Sequence, residues 1–172
     1  MSIEQLALFD SGAQSTPRAD SRRSVTRTER IDVRGTPRPQ GSIQAIKRKD
    51  GGIATKYAST VWAWRHQVQH AVAAHDGEQF TEAVEVQLGF DLLRPQSHFL
   101  PVNSKRSTPG VRPSAPCWPL VAPDLDKLVR CVCDAITDAG LWHDDAQVVS
   151  IRAAKRYVSD RPGVLITVKA LS

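Results

Sequence analysis

The amino-acid sequence predicts a single domain of mixed α/β class, with strands and helices interleaved along the chain. Three observations carry this expectation. The length, 172 residues, suits one domain with a short appendage. Two windows repeat apolar side chains at intervals of three and four, the period of a buried helix face. Several shorter runs alternate apolar and polar side chains, the period of a half-buried strand. Hydrophobic residues at 41% suffice for a core, and with 24% charged residues no stretch is apolar enough to span a membrane.

Residues 10 to 28 (DSGAQSTPRADSRRSVTRT) are rich in Ser, Thr and Arg and nearly devoid of large apolar side chains, so they cannot offset the entropy of ordering. They are expected to form a flexible basic tether, with a tail over 1–27 and the folded domain over 28–172. The run RIDVRG reads as a short strand, followed by the Pro/Gly turn TPRPQG. In SIQAIKRKDGGIATKY, Asp50-Gly51 separates two extended arms, a hairpin signal, and the arms carry Lys47, Arg48, Lys49 and Lys56. Ser59 is a plausible N-cap for a helix to about Ala74, in which Val61, Trp64, Val68, Ala71 or Val72 and His75 share a face. AVEVQLGFDLL is the clearest strand, with Val84, Val86, Leu88, Phe90 and Leu92 on one side. Residues 94–123 hold more than half of the eleven prolines and read as a long surface loop.

A second helix is expected from Leu125, its face made by Leu128, Val129, Val132, Ala135, Ile136 and Ala139 and its stop by Gly140. LWHDDAQVVSIRAAKRYV gives a tight loop and a strand with Val149, Ile151, Ala153 and Tyr157 on one face and Arg152 and Arg156 on the other. After the turn SDRPG, VLITVKAL is a final strand. The N-terminus shows no basic segment followed by an apolar one, so no signal peptide and a cytoplasmic location are expected. Cys117, Cys131 and Cys133 are an odd set without a CxxC pair, and Cys131 and Cys133 point to opposite sides of a helix. They fit buried or half-buried residues of a reducing compartment, not a disulfide or zinc framework.

The charge distribution is more informative than its sum of +5. Residues 1–60 hold 11 basic and 6 acidic side chains, which suits a polyanionic partner. The window Asp124–Asp145 holds six carboxylates (Asp124, Asp126, Asp134, Asp138, Asp144 and Asp145) against Lys127 and Arg130. An acidic cluster has no evident use on a polyanion-binding surface unless it holds cations. Asp124 and Asp126 stand where the helix dipole favours a carboxylate by ~0.3 to 1 kcal/mol, and one of them can be a simple cap. Asp134, four residues after Arg130, is expected to pair with it along the helix, and Asp138 to be solvated. His66 and His70 form an i, i+4 pair without a third ligand nearby, so a surface or partner contact is expected of them. Trp62 and Trp64 are expected in the core and at a dimer contact. A DxD pair also serves metal-dependent glycosyltransferases, but the chain is short for their nucleotide-binding domain and lacks a matching Gly-rich turn. Spacing alone does not bring Asp145 beside Asp124.

The run PDLDKLVRCVCDAITDAGLWHDDAQVVSIRAAK resembles the signature of the RusA family of Holliday-junction resolvases: a DLDN-like start, a basic residue soon after, a D-A-[LI] helix, and G-x-W-x-D-D-x-Q-V before a strand. GTPRPQGS and FDLLRPQSH resemble that family's first turn and the segment after its second strand. The resemblance implies a mixed sheet packed against two main helices, a homodimer, and a magnesium-dependent endonuclease that nicks four-way DNA junctions in pairs, with Mn²⁺ as a possible substitute. It further implies Asp124, Asp126 and Asp145 as metal ligands and Asp144 as a neighbour or alternative ligand. Two carboxylates ~5 Å apart at an effective dielectric of ~20 repel by ~3 kcal/mol, which a divalent cation turns into attraction. Two positions depart from the pattern: the usual Lys six after the first acid is Arg130, and the usual Asn after the second acid is Lys127. Arg130 lies one turn from Asp126 and keeps the charge, but it cannot donate a proton as lysine does, a task left to Lys127 or Lys155. Lys47, Arg48, Lys49, Lys56, Arg152 and Arg156 are the expected DNA contacts.

Gln5 to Phe9 (QLALF) resembles the pentapeptide with which bacterial replication and repair proteins dock on the DNA sliding clamp, with Gln5, Leu6, Leu8 and Phe9 as its anchors. Two function classes follow: a junction resolvase, and a non-catalytic or weakly catalytic adaptor that binds branched DNA and is tethered to the clamp.

Overall fold

The computed structural model describes residues 26–41, 44–47, 53–56, 59–101 and 110–171, with backbone alone for 44–47 and 53–56. Eight elements follow in order: β1 (Thr28–Arg34), β2 (Gln44–Lys47), β3 (Ile53–Lys56), α1 (Ser59–Ala73), β4 (Val84–Leu93), α2 (Leu125–Ala139), β5 (Val148–Val158) and β6 (Gly163–Ala170). β2 and β3 pair antiparallel, Lys47 opposite Ile53, as the Asp-Gly signal predicts. The other strands form one mixed sheet in the order β1-β6-β4-β5, in which only the β4–β5 pair is parallel. A parallel pair needs a crossover, and the segment between β4 and β5 supplies it with α2.

Alternation decides which face of the sheet meets the helices. Val84, Val86, Leu88, Phe90 and Leu92 of β4, Val164, Ile166 and Val168 of β6, and Ile31 and Val33 of β1 are buried. They pack with Trp64, Val68 and Val72 of α1 and with Leu128, Val132, Ala135 and Ile136 of α2 in one core. The two helices lie side by side, α1 against β1 and α2 against β5. Gly140 ends α2 in the left-handed region, at φ 77°, and its N–H caps the carbonyls of Ile136 and Thr137. At Gly163 a Cβ would stand 2.3 Å from the carbonyl oxygen of Val33, so the close β1–β6 approach there requires glycine.

Several local expectations change. Ser59 is the first residue of α1 itself. Cys131 and Cys133 do point apart, yet both are buried, because α2 is covered on two sides: Cys131 feels the charge of Arg65 on α1, and Cys133 that of Asp145. Burial pushes both thiols up to about 11, so they stay protonated at neutral pH. Cys117 is exposed. Trp64 is in the core, whereas Trp62 is half exposed and stacks on His66 at 5.3 Å. On β5, Val149 does not continue the Ile151–Ala153 face. The β4–β5 register shifts between Val84 and Glu85, which inserts Val149 as an extra residue, 63% exposed, and puts Val148 opposite Val84.

Asp134 does not pair with Arg130. It accepts from Arg65 (3.3 Å) on α1 and from the buried Gln40 amide (2.5 Å), and Asp138, expected to be solvated, takes two bonds from Arg65 at 2.8 and 2.6 Å. The helix-to-helix partner displaces the i, i+4 one because α1 and α2 lie in contact. Within the Pro-rich segment, Phe99 and Val111 form an isolated antiparallel bridge. Among the described residues no helix is long and apolar enough to cross a membrane.

Candidate active site

A groove of about 550 Å³ lies between α2 and β5, lined by Leu125, Asp126, Val129, Arg130, Cys133, Asp134, Asp145, Ile151 and Ala153. Asp126, Arg130, Cys133 and Asp134 fall on one stripe of α2 through the helical period. Asp145 arrives from the loop before β5. Asp145 and Asp126 thus line the same groove, Asp124 is not among its lining residues, and β5 runs back along α2 toward the first turn of the helix. Its inward-facing Lys155 reaches that turn, with Nζ donating to the carbonyls of Val121 (3.0 Å) and Pro123 (2.8 Å).

The carboxylates divide by partner. Asp134 is held by Arg65 and Gln40, and Asp144 is a cap: its Oδ1 accepts from the N–H of Ala146 at 2.8 Å within a capping box that also uses Gln147. Asp124 occupies the N-cap position of α2 without making the cap bond, its carboxylate taken instead by Lys127 Nζ at 2.5 Å. That hydrogen bond and the ammonium charge hold Asp124 below the usual carboxylate range and raise Lys127 above the usual lysine one. Asp126 and Asp145 are exposed and, among the described residues, make no hydrogen bond or ion pair, and neither does Arg130. The groove thus offers two free carboxylates and one free guanidinium, with Asp124 and Lys127 at its helical end.

Among the described residues no three of His, Cys, Asp and Glu stand together as a group that could hold a metal, so Asp124, Asp126 and Asp145 are not gathered into one set, and the His66–His70 pair gains no third ligand. Asp126 and Asp145 nevertheless give the groove oxygen donors of the kind that a hard divalent cation takes. Mg²⁺ is commonly held by one or two carboxylates and completes its shell with water and substrate phosphate.

Arg152 and Arg156 lie on the other face of the sheet and pair with β4 carboxylates, Arg152 with Glu85 at 3.5 Å and Arg156 with Asp91 at 2.6 Å. They are not beside the acids. Lys47 and Lys56 fall on the β2–β3 hairpin, whose side chains, like Arg48 and Lys49, lie outside the described residues, as do Gln5, Leu6, Leu8 and Phe9. Sequence reasoning missed Gln40 and the role of Gln147. The polar type of Gln40 amid the prolines of TPRPQG was the available signal, but its partner Asp134 is remote in sequence.

The family model for endodeoxyribonuclease RusA matches residues 35–169. A crossover junction endodeoxyribonuclease RusA from Escherichia coli (strain K12) is 53% identical over 36 residues, 21% of this chain and 30% of that protein. The protein of the same name from Shigella sonnei (strain Ss046) gives the same figures, so the match spans less than a third of either relative. The two-acid groove and the DLD and WHDD segments that build it lie inside the matched region, and the chain belongs to the RusA endodeoxyribonuclease family.

Proposed function

We propose that this chain is a structure-selective endonuclease that resolves four-way DNA junctions by paired nicking. The observation that carries the reading is that Asp126 and Asp145, neither with a hydrogen bond or ion pair among the described residues, line a single groove with Arg130 in a RusA-family domain. Asp126 and Asp145 would hold Mg²⁺, or Mn²⁺ in its place, and Asp124 would join them by exchanging its Lys127 contact. When bound, the cation polarises the scissile phosphate and lowers the pKa of an attacking water. Arg130 balances the charge that builds on the phosphate oxygens. Lys127, an ammonium at the same helix end, or Lys155 would give a proton to the leaving oxygen in place of the family's lysine. The junction has approximate two-fold symmetry, so two sites in an isologous homodimer account for paired cuts.

The basic residues of the tail (1–27) and of the hairpin serve as phosphate contacts, and the tail's QLALF segment as a sliding-clamp docking peptide. The domain proper begins near residue 28. A second reading, a weakly catalytic junction-binding adaptor, draws on Arg130 at the family's lysine position and on the occupation of Asp124 by Lys127. Synthetic four-way junction, flap and duplex DNA incubated with Mg²⁺ separate the two. Symmetric nicks in the junction that vanish in Asp126→Asn support the resolvase; tight binding with no cut by the wild type supports the adaptor.

A further inference from the structure

Asp145 makes no side-chain bond of its own among the described residues, so its place on the groove is set by the backbone that carries it. Asp144 caps that backbone locally through the Ala146 N–H, and one side chain, Gln147, ties it to the rest of the fold. The carboxamide of Gln147 accepts through Oε1 from the N–H groups of His143 (2.8 Å) and Asp144 (3.1 Å), and donates through Nε2 to the carbonyls of Phe80 (3.0 Å) and Glu82 (3.1 Å). Both ends of the amide are fully used, and the reverse orientation would set oxygen against two carbonyls and N–H against two N–H groups. The loop over 143–147 is therefore bolted to the segment that leads into β4. Its other side is tied to α2, where Trp142 Nε1 donates to Thr137 Oγ1 at 2.7 Å. The bulge at Val149 follows immediately and lets β5 leave the loop at the register the groove needs.

We infer that Gln147 is a positioning residue for Asp145, setting that acid relative to Asp126 without touching metal or DNA. The inference rests on the reading of those two acids as metal-holding. Its chemistry is specific to glutamine. Glutamate keeps the two acceptor contacts but turns a carboxylate on the carbonyls of Phe80 and Glu82, methionine keeps the volume and none of the bonds, and asparagine is one methylene too short to span both segments. Outer groups that orient a ligating side chain typically change metal affinity 10- to 100-fold when removed, even where the ligands remain.

The test titrates Mn²⁺ into full-length, DNA-free wild type, Gln147→Met, Gln147→Glu and Asp126→Asn by calorimetry, with the unfolding midpoint recorded for each. Mg²⁺-dependent junction nicking is followed in parallel. Expected is Mn²⁺ binding about tenfold weaker in both Gln147 variants, an equal upward shift in the Mg²⁺ concentration for half-maximal nicking, and unchanged metal-free junction binding. Gln147→Glu retains the shape and two of the four bonds, so it reports should Gln147→Met not fold. If Asp126→Asn loses Mn²⁺ while folded Gln147 variants bind it as the wild type does, the positioning role is wrong and the metal reading stands. If Asp126→Asn binds Mn²⁺ as tightly as wild type, the metal reading fails and this inference with it.

Discussion

Lys155, in the middle of β5, donates from Nζ to the carbonyl of Pro123 at 2.8 Å, joining the sheet edge to the residue that precedes Asp124. A lysine on the inward face of an edge strand keeps its stem on apolar surface and sends its charge to the rim. Here the rim is the entry to α2, and a second bond to Val121 fixes the strand of chain leading into it.

Lys155→Met retains the apolar stem and deletes both bonds, so the entry to α2 should loosen while the core stays packed. Junction nicking at saturating Mg²⁺ is expected to fall by about tenfold or more, since displacements near 1 Å at a reacting centre can cost on the order of 100-fold. The unfolding midpoint should move little. Nicking at the wild-type rate would show that the tether is dispensable.

Arg65 joins three acceptors that a single-helix view keeps apart: Asp134, Asp138 and the Gln40 carbonyl oxygen. Its guanidinium is mostly covered while Asp138 is half exposed, so only part of the network is shielded from water. Arg65→Met should lower the free energy of unfolding by about 2 kcal/mol, short of the ~3 to 5 kcal/mol for breaking a fully buried pair. Urea denaturation measures this, and a loss under ~0.5 kcal/mol would class the pair with ordinary surface bridges.

These relationships separate what the chain states locally from what it states only through packing. The faces of α1, α2 and β4 follow from the positions of Trp64, Val68, Leu128, Val132 and Val86, because one period fixes one face. Composition marks six carboxylates over 124–145, and only the resemblance to the RusA signature singles out those at 124, 126 and 145. Asp134 and Asp138 could not be assigned from α2 alone, because their partner lies on α1. The placing of Asp145 and Asp126 on one groove depends on the parallel β4–β5 crossover, which leaves no periodic trace. Gln147 was legible as part of a motif, but its acceptors at Phe80 and Glu82 are backbone atoms more than sixty residues away.

Arg130 tests whether the family's lysine acts by charge or by proton. Its guanidinium lines the groove with no partner among the described residues. If charge is its task, Arg130→Lys should nick junctions within a few-fold of wild type, and Arg130→Ala should lose about 100-fold, the order expected for one electrostatic donor. A rise of tenfold or more in Arg130→Lys would assign the position a proton-transfer role that arginine cannot perform.

The pairing of Glu29 with His75 (2.7 Å) and Arg27 (2.9 Å) closes the edge of β1 over the end of α1 and gives the fold an acid-sensitive contact. The His75 hydrogen bond, then the Arg27 one, hold the Glu29 carboxyl below its ordinary value of 4.5. A group whose pKa is depressed on folding stabilises the native state above its unfolded pKa, and that contribution is lost as the pH falls through the folded value. Glu29→Gln should therefore be less stable than wild type by about 1 to 2 kcal/mol at pH 7. The difference should begin to shrink near pH 4.5 and be small once wild-type Glu29 is itself protonated. Urea unfolding of both proteins from pH 7 to about pH 3 follows the difference. A deficit that stays constant down to pH 3 would place the cost in the shape of the side chain and not in its charge.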